Sequence, residues 1–252
     1  MSRTFLTGDK PMLTVMLQCK TPEIAAGRIR NALCLGADAF GLQTESLQPE
    51  YRDPAVYDRL FKEMRGKPSY VTNYRSGFNK GKSDEELAEG LLELADHGAV
   101  LCDVMGDLFC RHPDELTEDE TAVQRQKELI GRLHEKGAQV LISSHLYRFA
   151  PAERVMQIAA AQKERGADIV KIVTSADSME QQMENLRITA LLKKELGAPF
   201  LFLSGGVCSI HRRIGIHLGC CMALCVYEHD AFSTAAQPLL QTMKTLRDGI
   251  DF

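Results

Sequence analysis

A short phrase recurs along this chain and fixes most of what it can fold into. Gly36-Ala37-Asp38-Ala39-Phe40, Gly98-Ala99-Val100-Leu101, Gly137-Ala138-Gln139-Val140-Leu141, Gly166-Ala167-Asp168-Ile169-Val170 and Gly197-Ala198-Pro199-Phe200 each follow an amphipathic stretch. Glycine ends a helix in the left-handed conformation because it has no Cβ to clash. The apolar run behind each glycine is too short for another helix and too evenly apolar for a half-exposed strand. It reads as a parallel strand covered on both faces.

Counting on this rhythm gives eight strand–helix units. The predicted strands are 12–18, 38–42, 69–74, 99–104, 139–143, 169–173, 200–204 and 222–227. The helices that follow them are 22–35, 54–65, 83–97, 118–136, 152–165, 178–196, 210–218 and 234–248. Thr21-Pro22-Glu23, Ser83-Asp84-Glu85-Glu86 and Thr117-Glu118-Asp119-Glu120 each set a capping side chain ahead of acidic first-turn residues. Eight such units in a row predict a closed (β/α)₈ TIM barrel, a single domain over residues 1–252. An open doubly wound sheet usually has fewer strands and a glycine-rich turn after the first, which Gln18-Cys19-Lys20 does not supply.

A net charge of -4 and the absence of any Lys/Arg block argue against a nucleic-acid partner. No run approaches the apolar length of a membrane span, and the segment from Met1 to Pro11 lacks the pattern of a secretory signal, so a cytoplasmic protein is expected. The eight cysteines sit mostly in apolar segments, which suits reduced thiols better than disulfides. Cys221 and Cys225 have no second pair at zinc-ligand spacing, so no metal is expected.

Barrel chemistry lies at the carboxyl ends of the strands. That rule selects Gln18, Lys20, Gln43, Glu45, Arg75, Asp103, His145, Lys171, Ser204 and the region from Tyr227 onward. Lys171 is the strongest of them, an amine inside Ile169-Val170-Lys171-Ile172-Val173. Burying an unpaired ammonium is costly, and desolvation favours the neutral amine that attacks carbonyls. The plainer alternatives are an internal ion pair with Asp103 or a side chain snorkelling at the strand end. His145, closing strand five, is either a structural residue or a general acid/base beside Lys171. Arg75 either clamps an anion or bridges the barrel mouth.

At these residues the chain resembles the type I 3-dehydroquinate dehydratases of the shikimate and quinate pathways. The shared phrases are Val15-Met16-Leu17-Gln18, Tyr74-Arg75-Ser76, Ser143-Ser144-His145 and Gly166-Ala167-Asp168-Ile169-Val170-Lys171-Ile172. His211-Arg212 before Gly215, and Ser233-Thr234-Ala235-Ala236-Gln237, complete the set. The resemblance implies a hydro-lyase in which Lys171 forms an imine with a cyclic keto acid and His145 moves the proton, with no cofactor. It implies that Arg212, Ser233 and Gln237 bind the substrate carboxylate and Arg75 a ring hydroxyl, with Arg213 adjacent as a rival to Arg212. It also suggests a homodimer.

The departures lie on strands two and three. The family's Glu-x-Arg-x-Asp is Gly41-Leu42-Gln43-Thr44-Glu45 here, and Asn79 stands near the place of the glutamate that orients the histidine. Gln43 and Asn79 are therefore candidate substrate-side residues, with Asp103 or Glu45 as replacement partners for His145. Two other functions fit the same residues: a Schiff-base aldolase or lyase on another small carboxylated ketone, and a non-catalytic carboxylate-binding barrel. Gly205-Gly206 would let the 202–213 loop close over a ligand. His211, His217 and His229 are expected on the surface, since a six-residue spacing points His211 and His217 to different helix faces.

Overall fold

A computed structural model describes residues 4–250. Strand and helix alternate as β1 (Met12–Leu17), α1 (Pro22–Cys34), β2 (Ala39–Gln43), α2 (Pro54–Glu63), β3 (Ser69–Thr72), α3 (Asp84–Asp96), β4 (Leu101–Met105) and α4 (Glu120–Glu135). They continue as β5 (Gln139–His145), α5 (Ala152–Glu164), β6 (Ile169–Ala176), α6 (Met179–Glu195), β7 (Phe200–Gly206), α7 (His211–Ile214), β8 (Met222–Cys225) and α8 (Leu240–Gly249). The eight strands pair in parallel in the order β7-β6-β5-β4-β3-β2-β1-β8. Between β7 and β8 the wall is spanned by Cys221, whose N–H donates to Phe200 O at 2.9 Å while its carbonyl accepts from Met12 N at 3.0 Å. The result is a nearly closed (β/α)₈ barrel, as the repeat predicts.

The recurring glycines do what their position requires, with φ positive from 61° at Gly197 to 107° at Gly98. Side chains two apart on a strand share a face. Met16, Tyr70, Leu141, Ile169, Leu201 and Leu224 therefore fill one buried cluster, while Val15, Leu42, Val71, Cys102 and Val140 pack outward toward the helices in another. Lys171 has the inward parity of Ile169.

Two helix starts differ from the sequence reading by more than one residue. Asp119, not Thr117, caps α4, accepting from Ala122 N at 2.8 Å. The segment ahead of it is a loop with left-handed turns at Phe109 and Glu115, φ 75° and 44°. Helix α8 starts at Leu240 rather than 234 because Pro238 and Leu239 continue alongside β8, with Val226 N donating to Pro238 O. Helix α7 is a single turn, continued by a 3₁₀ turn at Gly215–Leu218. No helix among the described residues is long and apolar enough to cross a membrane, and all eight cysteines are free thiols.

Candidate active site

Lys171 projects from β6 into the barrel and is 4% exposed. Its Nζ lies 3.0 Å from Asp103 Oδ2, 3.0 Å from Tyr70 Oη and 2.7 Å from Tyr74 Oη. Both phenols in turn donate to Asp103 Oδ2, and Ser143 Oγ donates to Oδ1 at 2.5 Å. A buried ion pair is tolerated when its remaining lone pairs and protons are supplied, and here they are. Burial and the Asp103 charge push both phenols well above the usual tyrosine range, so both stay protonated donors. The ion pair and a chemical role are compatible, because Lys171 also faces a cavity of about 370 Å³ that His145, Arg212 and Gln237 help to line.

His145 ends β5 with Nδ1 2.7 Å from Glu115 Oε2, and its backbone N–H donates to the same oxygen at 3.0 Å. A carboxylate at Nδ1 holds the proton there and leaves Nε2 for proton transfer. Glu115 arrives from the β4–α4 loop, where its carbonyl accepts from Ser144 Oγ at 2.8 Å. Buried Arg165 ties that loop down, donating to Gly106 O at 2.9 Å and to Thr117 O. The imidazole is flanked by Tyr74, edge-on at 5.4 Å, and by Tyr147, stacked at 5.8 Å. Tyr147 holds a left-handed φ of 53°.

Sequence reasoning missed Glu115 and Tyr147. Thr117-Glu118-Asp119-Glu120 reads as a helix start and gives Glu115, just ahead of it, no role, although a carboxylate between the ends of β4 and β5 is where a partner for His145 would lie. Asn79 does not take that role. It is fully buried outside the cavity, donating to Asn73 Oδ1 and Tyr74 O at 2.8 Å each and accepting from Arg52. Asp103 and Glu45 do not replace it either, since Asp103 serves Lys171 and Glu45 accepts from Thr72 Oγ1 at 2.9 Å.

On the opposite wall Arg212 donates through Nε to Ser204 O at 2.9 Å and lines the cavity. Burial pushes its guanidinium down to about 10, the direction expected of a cation lacking a carboxylate partner. Arg213 is exposed and bonded to Ser209. Gln237 is 6% exposed and its Oε1 has no hydrogen-bond partner among the described residues. Ser233 does not reach the cavity: its hydroxyl accepts from Asp230 N at 2.9 Å and donates to Asp230 O at 3.1 Å. Thr234 lines the wall in its stead, bonded twice to Gln18 at 3.0 Å.

The model of the type I 3-dehydroquinase family matches residues 13–248. The chain belongs to that family. The family's fold is also found in solved relatives. The 3-dehydroquinate dehydratase of Geobacillus kaustophilus superposes with a TM-score of 0.82 at 16% identity, over 96% of this chain and 92% of that one. The type I enzyme of Clostridium difficile, solved with covalently modified comenic acid, gives 0.81 at 17% identity over 96% and 93%. The Enterococcus faecalis enzyme gives 0.78 at 16% identity over 98% and 97%. No curated protein matches the sequence.

Within this dehydroquinase-family barrel, tight packing and ion pairs occupy the second and third strands and the loop behind them. A Cβ on Gly41 would lie 2.3 Å from Met16 Sδ and 3.0 Å from Tyr70 Cδ1, so those side chains fill the room a larger residue would need. Gln43 stays in the cavity wall, donating to Glu45 Oε1 at 3.1 Å. Among the described residues Glu45 has no cation in an ion pair with it, and burial raises its carboxyl. Arg75 is not free to take a ring hydroxyl: it pairs with Asp84 at 2.7 Å and Asp107 at 2.6 Å. It lines an adjoining cavity of about 520 Å³ on the far side of His145.

One further expectation is corrected by burial. His211 is fully enclosed rather than on the surface, with Nε2 2.7 Å from Thr189 Oγ1 and its ring against Phe202. Desolvation, followed by the nearby Arg212 charge, pushes it down to about 4, so it is a neutral spacer behind Arg212.

Proposed function

We propose that this chain is a Schiff-base hydro-lyase that removes water from a carboxylated cyclic ketone, 3-dehydroquinate being the first candidate and 3-dehydroshikimate its product. The observation that carries this reading is the single cavity shared by Lys171, His145 and Arg212. In it, Arg212 and Gln237 hold the carboxylate and Lys171 attacks the ring ketone to form an imine. His145, with Glu115 on its far nitrogen, takes the proton from the carbon beside the imine, and the electrons pass into an enamine. The histidine then returns that proton to the departing hydroxyl, water leaves, and hydrolysis frees the lysine. The imine is its own electron sink, so the scheme calls on no metal or organic cofactor. The covalent modification named for the Clostridium difficile relative agrees with such a lysine.

A second reading, a different carboxylated ketone as substrate, is favoured by Met16 and Tyr70 filling the space beside Gly41 and by Arg75 being held in ion pairs. One experiment separates the two. The protein is mixed with 3-dehydroquinate and sodium borohydride, and its intact mass and tryptic map are recorded. A reduced adduct on Lys171 with turnover to the dehydrated product is expected. Adduct formation only with other carboxylated ketones supports the second reading, and a folded protein that traps none of them refutes both.

A further inference from the structure

We propose that Tyr74 is a catalytic residue for imine formation, carrying protons between the Lys171 nitrogen and the ketone oxygen with Asp103 as its partner. This rests on the imine reading above. The hydroxyl of Tyr74 accepts from Lys171 Nζ at 2.7 Å and donates to Asp103 Oδ2. It thus stands in line between the amine that must lose protons and a carboxylate that can hold one. When Nζ bonds to the ketone carbon, the ketone oxygen is two bonds from that nitrogen and within hydrogen-bond reach of the same hydroxyl. Tyr70 makes the same pair of contacts but lies deeper in the barrel and is fully buried. Tyr74 is partly exposed and lines both the lysine cavity and the adjoining one, where incoming substrate meets it first. His145 bonds through Nδ1 to Glu115, while Lys171 Nζ donates its hydrogen bonds to Asp103 and the two phenols.

The protons balance. The ammonium gives one proton to Asp103, and the neutral amine adds to the carbonyl carbon, leaving a positive nitrogen and an alkoxide. Tyr74 protonates the alkoxide and is restored by the acid form of Asp103. That carboxylate then takes a second proton from the nitrogen. Tyr74 donates again, now to the carbinolamine hydroxyl, and the carbon–oxygen bond breaks to release water. The nitrogen lone pair forms the iminium double bond, and Asp103 returns its proton to Tyr74. Two protons have moved from nitrogen to oxygen, and Tyr74 and Asp103 end as they began. Both phenols are held protonated by burial, as a donor requires.

The test is Tyr74→Phe, with rapid-quench borohydride trapping of 3-dehydroquinate and, separately, the dissociation constant for quinate, which has the carboxylate but no ketone. Trapping is expected to slow by about 10²-fold, a common size for a lost proton donor, while quinate binding stays within about twofold. A wild-type rate of trapping in the variant overturns the proposal and leaves the imine reading standing. Failure of the wild-type protein to trap 3-dehydroquinate or any other carboxylated ketone overturns the imine reading itself. A second form, with 3,5-difluorotyrosine at position 74, keeps the ring and makes its hydroxyl more acidic. The pH above which trapping slows should then move down, and an unmoved profile counts against the relay.

Discussion

Lys171 and His145 leave β6 and β5 with their side chains in one cavity, whereas Arg75 and Asn79, just past β3, spend their hydrogen bonds on the protein itself. In the first region Lys171 lies against Asp103 and His145 against Glu115. In the second, Arg75 is neutralised by two aspartates, and Glu45 is buried among hydroxyl and amide donors. Met16 and Tyr70 occupy the inward space beside Gly41. On the proposed reading, the first half of the mouth supplies the nucleophile and the base. On the same reading, the other half would set which ring substituents are tolerated.

The largest effect expected follows from this division. Lys171→Ala should lower turnover of 3-dehydroquinate by more than about 10³-fold, since the imine cannot form. The fold should survive, because Asp103 keeps its three hydroxyl donors from Tyr70, Tyr74 and Ser143. Steady-state kinetics with a thermal melt checks both points. Retained turnover would move the chemistry out of the β4–β6 half altogether.

The next effect belongs to Glu115. In Glu115→Gln the amide oxygen still accepts from His145 Nδ1, so the ring stays in place while its counter-charge is lost. We expect kcat to fall about 10- to 100-fold. Steady-state kinetics beside a thermal melt decides the matter. A kcat within about twofold of the wild-type value would make Glu115 a structural strut only.

What the sequence reveals follows the same boundary. The strand count, the inward parity of Lys171 and the end of β5 at His145 are local properties: glycine stops, apolar runs and alternation read directly from neighbouring residues. Glu115 is invisible to that reading because its role depends on a loop turned back by a left-handed residue and held by Arg165 from the end of α5. Asn79 was misplaced for the converse reason. Its position near a family motif says nothing of Asn73 and Arg52, which claim its amide in space. His211 was read as exposed from its spacing to His217, but α7 is only one turn long and packs its first residue inward against Phe202.

The smallest effect expected tests the half built on β2 and β3. In Gly41→Ala the new methyl meets Met16 Sδ at 2.3 Å and Tyr70 Cδ1 at 3.0 Å. Met16 can swing its flexible end away, but the Tyr70 ring must give by a few tenths of an ångström. A loss of about 1–3 kcal/mol in stability is expected, the usual cost of overpacking a core. Trimming the obstruction in Met16→Ala/Gly41→Ala should recover part of it, so the double variant costs less than the sum of the singles, a coupling readable by urea denaturation. Because the methyl touches neither His145 nor Glu115, kcat should change far less than in Glu115→Gln. A drop in kcat as large as that variant's would mean that Tyr70, pushed by the methyl, disturbs the Lys171–Asp103 pair, and the two halves of the mouth would then have to be treated as one machine.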